Sequence, residues 1–257
     1  MAGLPVFRHE KGTGAPLVLI HGFCETHEVW LDMASRLAEK FRVLIPDLPG
    51  FGASKLPQTP FSLSDIASEM WRWLDDLGAQ KPVLVGHSLG GYVALAMAEI
   101  RPEAPAGLGL FHSTATADSD EKKINRTRVM DFVEKNGVDP FVDTFVPGLF
   151  YKKDPDAMQR VDALARKTKK ETLLAYTRAM RDRPDRQAIL KQAHQPVLIV
   201  AGEQDTLIPL EILENQSKLL QQGHFDVLKQ TGHMGMFEAS AEALSAVYRF
   251  ASVSVGM

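Results

Sequence analysis

The chain has 257 residues, of which 45% are hydrophobic and 24% charged, and its formal net charge is −3. This composition is typical of a folded globular protein and argues against a nucleic-acid partner. The single cysteine, Cys24, excludes an internal disulfide and fits a reducing compartment. Without a secretion-signal pattern or an apolar run long enough to span a membrane, the sequence predicts a cytoplasmic protein.

Six short apolar segments predict buried strands, with helical periodicity between them. Continuous rather than alternating apolar character is typical of parallel strands covered on both faces. Between the second and third segments, Ser62 and Asp65 are spaced as a capping pair, and Gly78 is placed to end the helix that follows them. The predicted strands are PLVLIHGF (16–23), FRVLIPDL (41–48), PVLVGHS (82–88), AGLGLFHS (106–113), PVLIVAGEQD (196–205) and HFDVLKQ (224–230).

The alternation of strands and helices is interrupted once, by residues 114–193. These 80 residues show no strand-like run, and they carry 17 basic and 13 acidic side chains, a formal charge of +4 against −7 for the rest. We therefore expect a helical insertion at 114–193 above a core formed by 1–113 and 194–257. The mixture of signs favours solvated helix faces, and hence neutral substrates, over a site for anions.

The segment Gly86-His87-Ser88-Leu89-Gly90 follows a predicted strand and opens a predicted helix. A turn this tight forces the serine into a strained backbone conformation and leaves no room for side chains at the glycine positions. The hydroxyl then stands free beside the positive end of a helix. Glycines that merely allow close packing, with Ser88 as a helix cap, are the structural alternative.

A serine nucleophile needs a base and a carboxylate that orients the base. His233 lies in a loop after the last predicted strand, and Asp205 ends the preceding one, so both are expected near Ser88. Asp205 is preferred over two competing carboxylates, Glu203 and Asp118, the second of which follows the fourth predicted strand.

Negative charge that develops on a substrate oxygen is stabilised by backbone N–H donors. The Leu89 amide directly follows the serine, and the Phe23 amide lies in the loop after the first predicted strand. We expect these two amides to form an oxyanion hole. A plain glycine turn at Gly22 is the alternative for the second donor.

These motifs resemble those of the α/β-hydrolase superfamily with a serine nucleophile, and the resemblance covers nearly the whole chain. It rests on HGF at 21–23, PDLPGFGAS at 46–54, GHSLGG at 86–91 and the chain order Ser88, Asp205, His233. It implies an α/β-hydrolase fold, a mostly parallel doubly wound sheet with a helical lid inserted at 114–193. It also implies a carboxylesterase or lactonase that needs no cofactor.

The substrate pocket is expected beside the serine, beneath the insertion. Its candidate lining residues are Phe23, His112, Phe141, Phe145, Leu149 and Phe150, with core packing as the alternative for each. Glu25 and His27 are further candidates, whereas His87 is expected to serve packing alone. No side chains have metal-ligand spacing, so no metal is expected.

The expected activity is hydrolysis of an ester, thioester or lactone of a small acyl substrate through an acyl-enzyme. Two alternatives stay open. One is cleavage or elimination at a carbon–carbon bond by the same triad, and the other is ligand binding with little turnover.

Overall fold

The computed structural model describes residues 6–257. Within this range, one sheet has the strand order β1-β3-β2-β4-β5-β6-β7. Every neighbouring pair is parallel except β1 with β3. The strands are β1 (Arg8–Lys11), β2 (Pro16–Ile20), β3 (Arg42–Pro46), β4 (Val83–His87), β5 (Gly107–Phe111), β6 (Val197–Gly202) and β7 (Gly223–Leu228).

The helices cover both faces of the sheet. They are α1 (Leu31–Leu37), α2 (Leu63–Asp76), α3 (Leu89–Ile100), α4 (Asp120–Asn136), α5 (Asp139–Leu149), α6 (Pro155–Ala165), α7 (Lys170–Arg181), α8 (Gln187–Gln192), α9 (Leu210–Ser217), α10 (Gly235–Glu238) and α11 (Ser240–Ser254). A short 3-10 helix precedes α1 at His27–Trp30. Two groups of these helices pack on the sheet. In one, α1 packs on α11; in the other, α2 and α8 pack on α3. Both α3 and α11 pack on β4 and β5.

The predicted sheet is confirmed: five of the six predicted segments contain the strands β2 to β6, and the sixth overlaps β7, which begins one residue before it. All side chains of β4, β5 and β6 are buried, as continuous apolar segments require. The sequence does not predict β1, because its four residues, RHEK, are polar and mostly exposed at the sheet edge.

Between β5 and β6 the chain forms five consecutive helices, α4 to α8, and residues 112–196, all of them described, contain no strand. These helices pack on one another, α4 on α5 and α7, and α5 on α6. Two side chains of α7 reach the loop after β3: the Tyr176 hydroxyl donates to the Pro49 carbonyl at 2.7 Å, and the Thr172 hydroxyl donates to the Gly50 carbonyl at 3.0 Å. The helices therefore lie above the carboxyl ends of the strands.

Membrane crossing by a helix finds no support in residues 6–257, where no helix combines the necessary length with sufficient apolar character.

Candidate active site

The sharp turn between β4 and α3 carries Ser88. Its backbone has a φ of 49° and a ψ of −113°, a conformation that costs a non-glycine residue about 1–3 kcal/mol. A Cβ on Gly86 would lie 2.2 Å from the backbone of Gly90, and a Cβ on Gly90 would lie 2.3 Å from the Ile20 carbonyl oxygen. The turn thus has the strained serine and the crowded glycines that the sequence predicts.

Asp205, in the turn after β6, holds the imidazole of His233, in the loop after β7. His233 Nδ1 donates to Asp205 Oδ2 at 2.7 Å. The other carboxylate oxygen, Oδ1, accepts the backbone N–H groups of Leu207 and Ile208 at 2.9 and 3.0 Å. Burial opposes ionisation, but His233 and a hydrogen bond from His112 hold the pKa of Asp205 well below its usual range. Asp205 is therefore a carboxylate that fixes the His233 ring and leaves Nε2 for other partners.

Ser88 and His233 line a common cavity of about 230 Å³. Within residues 6–257 no hydrogen bond joins the Ser88 hydroxyl to His233, and catalytic hydrogen bonds of this kind commonly tighten only when substrate binds. Much of the wall is apolar and includes four of the predicted pocket residues, Phe23, Phe141, Phe145 and Leu149.

Sequence reasoning missed the polar part of this wall. Lys122, Asn125 and Arg126 of α4 line the cavity. Only Val133 of α4 is fully buried, so its sequence has no apolar stripe from which an inward face could be read. The one sequence feature that indicates a polar wall here is Asp118, which lies just before α4.

Two predicted pocket residues, His112 and Phe150, are not among the residues that line this cavity, so their place in the substrate pocket stays a prediction. His112 is fully buried, and its left-handed backbone, with a φ of 47°, directs Nδ1 to Asp205 Oδ2 at 3.3 Å. Burial lowers the pKa of His112 to about 4, so the ring is neutral near pH 7. Phe150, just after α5, is buried near Phe237, with ring centroids 6.4 Å apart.

The competing carboxylates have other partners. Asp118 forms ion pairs with Arg126 and Arg183, the second at 2.8 Å, and Glu203 forms an ion pair with Lys229 at 2.8 Å. Among the described hydrogen bonds and ion pairs, neither carboxylate contacts His233. Asp205 alone has the geometry of the orienting acid in this part of the chain.

His112, Asp205 and His233 also bring one potential metal-ligand atom each within 4.8 Å of one another. Hydrogen bonds explain this convergence, because Asp205 accepts two at each oxygen and each histidine donates one of them through Nδ1. The expectation of no metal stays a prediction.

His87, predicted to serve packing, forms a buried polar bridge. Its Nδ1 lies 3.1 Å from the Glu25 carboxylate, which also accepts the Gly22 N–H at 2.7 Å. Its Nε2 donates to the His233 carbonyl at 2.9 Å. Although burial opposes both charges, each partner favours the other's charged form, so the pKa of His87 is raised and that of Glu25 lowered. An imidazolium–carboxylate pair thus joins the loop after β2, the serine turn and the His233 loop.

The two predicted oxyanion donors belong to loops that this bridge joins. Leu89 is the first residue of α3, so its N–H has no acceptor inside the helix. The Phe23 N–H likewise has no acceptor among residues 6–257. That both amides stabilise one oxyanion stays a prediction.

The end of α5 is tied to the His233 loop. The His233 N–H donates to the Leu149 carbonyl at 2.8 Å. The Glu238 carboxylate accepts the N–H groups of Tyr151 and Lys152 at 2.8 and 2.7 Å and that of Gly232 at 2.9 Å. This part of the insertion and the His233 loop are therefore held as one unit.

Comparisons with known proteins show the family to which the chain belongs. The sequence model described as "Alpha/beta hydrolase family" matches residues 17–247. The dihydrolipoyllysine-residue acetyltransferase component of an acetoin cleaving system from Pseudomonas putida is 30% identical over 236 residues, which are 89% of this chain and 61% of that protein. The chain thus spans less than two thirds of that relative. The 2-hydroxymuconate semialdehyde hydrolase of Pseudomonas sp. (strain CF600) is 27% identical over 97% of this chain and 91% of that protein.

Solved structures show the same architecture. A thermophilic esterase from Thermogutta terrifontis, with malate bound, superposes with a TM-score of 0.92 and 29% identity over 97% of this chain and 93% of that one. The enol-lactonase from Burkholderia xenovorans LB400 superposes with a TM-score of 0.87 and 18% identity over 95% of each chain. At 18% identity the second likeness concerns the fold alone.

Proposed function

Since the chain belongs to the alpha/beta hydrolase family, we propose that it hydrolyses a carboxylic ester of a small acyl substrate through an acyl-enzyme on Ser88. The α/β-hydrolase fold predicted from the sequence is confirmed by the family match and by the superposition at a TM-score of 0.92. Hydrolase chemistry follows from the family. The ester substrate and the serine mechanism are the proposal.

The observation that carries the proposal is the arrangement of Ser88, His233 and Asp205 around one cavity. Ser88 stands on the strained turn at the start of α3, and both it and His233 line the cavity. Asp205 holds the His233 ring from the buried side at 2.7 Å. The esterase with 29% identity over 97% of this chain supports an ester as the bond cleaved.

The proposed reaction begins with attack by the Ser88 oxygen on the ester carbonyl carbon while His233 Nε2 accepts the hydroxyl proton. The Leu89 and Phe23 amides donate to the oxyanion of the tetrahedral intermediate. His233 returns the proton to the leaving alcohol, and the acyl group stays on Ser88. Water then adds with His233 as base, and the carboxylic acid leaves. Asp205 keeps the imidazole in the required tautomer throughout.

In this proposal the helices of residues 114–193 form a lid over the serine. Phe141 and Phe145 stack with ring centroids 4.9 Å apart, and Phe23 meets Phe145 edge-on at 6.0 Å. Together with Leu149 they give the acyl chain an apolar wall. Their side chains would also exclude water from the reacting carbonyl.

A second candidate is hydrolysis of a carbon–carbon bond next to a carbonyl group. The 2-hydroxymuconate semialdehyde hydrolase, 27% identical over 97% of this chain, favours it. The same serine, histidine and aspartate would serve both reactions. Ligand binding with little turnover has less support, because Ser88 and His233 line one cavity and Asp205 holds the His233 ring.

Purified protein tested with p-nitrophenyl esters of increasing acyl length distinguishes these functions. We expect release of p-nitrophenol by the wild type, and a loss of roughly six orders in kcat for Ser88→Ala. Mass spectrometry after a rapid acid quench should show one acyl group added to the wild type and none to Ser88→Ala. Ser252→Ala, a serine change in α11, is the matched control and should retain activity. Turnover of a vinylogous 1,5-diketone with no ester hydrolysis would favour the second candidate.

A further inference from the structure

One face of α4 brings polar side chains into the cavity that contains the serine. Lys122, Asn125 and Arg126 occupy positions three and four residues apart, so they share one side of the helix, and all three line the cavity. The hydrocarbon and aromatic residues of α5 form another part of the same wall. The cavity thus has an apolar portion and a cationic portion.

The cationic portion has more positive than negative charge. Asp118, buried beside α4, is the acid shared by Arg126 and Arg183. The ammonium of Lys122 donates to the Leu207 carbonyl at 3.3 Å. Because a carbonyl carries no formal charge, this contact does not compensate the charge of Lys122. Glu25, the other carboxylate of the wall, is neutralised by His87. The wall thus contributes two cations, Lys122 and Arg126, and one carboxylate, Asp118, for a local formal charge of +1. Arg183, which is not part of the wall, is a second cation paired with Asp118.

Hydrogen-bond donors in this portion are also available. Arg126 uses Nε for Asp118, and among the described residues its terminal nitrogens and the Asn125 amide have no hydrogen-bond partner. Its side chain is only 23% exposed, so these donors are partly withdrawn from water. A guanidinium with free terminal N–H groups in such surroundings matches the two oxygens of a carboxylate.

We infer that this site selects esters whose acyl group ends in a second carboxylate, that is, monoesters of short dicarboxylic acids. The inference rests on the proposed ester hydrolysis: the ester carbonyl lies at Ser88, the methylene chain lies along the phenylalanines, and the free carboxylate pairs with Arg126 and Lys122. Water converts such a monoester to the dicarboxylic acid and the alcohol. The positive charge of the insertion therefore has a binding role that its mixed composition does not reveal.

The test compares mono-p-nitrophenyl glutarate with p-nitrophenyl pentanoate, which have acyl chains of equal length. At low salt we expect the wild type to have a kcat/KM about tenfold higher for the glutarate, and we expect salt to reduce this preference. Lys122→Gln and Arg126→Gln should each lower kcat/KM for the glutarate about tenfold or more and change that for the pentanoate less than about threefold. Lys122→Gln leaves the Asp118 ion pairs intact, so it answers the question even if Arg126→Gln folds poorly.

Lys123→Gln is the matched control, because it makes the same charge change on α4 outside the cavity. An equal loss of kcat/KM for the glutarate in Lys123→Gln would show that the effect comes from net charge alone. It would overturn the inference. A wild type that prefers the pentanoate ester, or that shows no preference at any salt concentration, would overturn it as well.

A binding measurement separates this inference from the proposed function. Calorimetric titration of Ser88→Ala with monomethyl glutarate requires no turnover. We expect binding that weakens about tenfold when Lys122→Gln is added and is unchanged when Lys123→Gln is added. Binding of this pattern without ester hydrolysis by the wild type would reject the proposed reaction and retain the anion site. No binding would reject the anion site even if neutral esters are hydrolysed.

Discussion

Asp205 divides its hydrogen bonds between two tasks. One oxygen accepts backbone N–H groups of its own turn, and the other accepts the imidazoles of His233 and His112. The turn fixes the carboxylate, and the carboxylate fixes the ring of His233. His112, a neutral donor behind them, is not among the residues that line the cavity and hydrogen-bonds only to the carboxylate of this pair.

This arrangement predicts different consequences for two aspartates. Asp205→Asn should lower kcat for a neutral ester by about four orders, because the required tautomer of His233 is no longer enforced. Asp118→Asn should lower the same kcat less than about tenfold, because Asp118 pairs with Arg126 and Arg183 and not with His233. Steady-state kinetics of both variants provides the measurement. A reversed order of the two losses would assign the orienting role to Asp118.

The His87–Glu25 pair predicts a pH-dependent contribution to stability. Glu25→Gln leaves a buried imidazole without its counter-charge, so the free energy of unfolding should fall by about 3 kcal/mol near neutral pH. The raised pKa of His87 means that its contribution is fully present below its unfolded pKa and is lost as pH rises through the folded value. The lowered pKa of Glu25 means that its contribution is lost as pH falls through its folded value. The cost of the substitution should therefore be largest between these two limits.

Urea unfolding of wild type and Glu25→Gln from pH 5 to 10 measures this cost. Glu99→Gln is the control, because it removes a carboxylate from Arg186, which does not titrate in that range. The loss of unfolding free energy caused by Glu99→Gln should not change with pH above neutral. If the cost of Glu25→Gln were equally constant, His87 would not carry the charge assigned to it.

Sequence reasoning at this scale brings residues together where chain order and a local motif fix their position. The Ser88 turn, Asp205 and His233 are such residues. It does not find His87 or His112, because their roles come from contacts across 146 and 93 positions of the chain. Nothing near either residue in the sequence indicates its partner.

Helix α5 is the element that gives the cavity its apolar wall. Phe145→Ala removes a ring that stacks on Phe141, so it should open space at the end of the acyl chain. We expect the ratio of kcat/KM for p-nitrophenyl octanoate to that for the butanoate to rise by an amount equivalent to about 1–3 kcal/mol. Phe132→Ala, on α4 and 43% exposed, should leave the ratio unchanged. An unchanged ratio in Phe145→Ala would remove α5 from the acyl site.

Elements with local signals are predicted well. The capping pair Ser62 and Asp65 forms both reciprocal hydrogen bonds at the start of α2, and Gly78 follows this helix with a φ of 60°. By contrast, α4 has no continuous apolar face, so only the fold determines which of its side chains face the cavity. The periodicity that predicts a helix here does not predict its orientation.

For the whole molecule, buried carboxylates determine the response to acid. The pKa values of Glu25, Asp47, Asp118 and Asp205 are all lowered, in each case by basic or N–H partners that outweigh burial. Their contribution to stability is present above their unfolded pKa values and is lost as pH falls. We therefore expect Tm to fall steeply below about pH 4.5. Differential scanning calorimetry between pH 3 and 7 checks this expectation, and a constant Tm down to pH 3 would contradict it.

The attachment of α5 to the His233 loop restricts how a substrate can enter. Because the Leu149 carbonyl and Glu238 hold the two segments together, displacement of α5 would also displace His233, the proposed general base. Lys122 and Leu207, which also line the cavity, are both exposed and are joined by one hydrogen bond of 3.3 Å. We therefore expect the substrate to enter the cavity between Lys122 and Leu207. A monoester would then enter with its ester end first. Its carboxylate would stay with Lys122 and Arg126 while the ester group reaches Ser88.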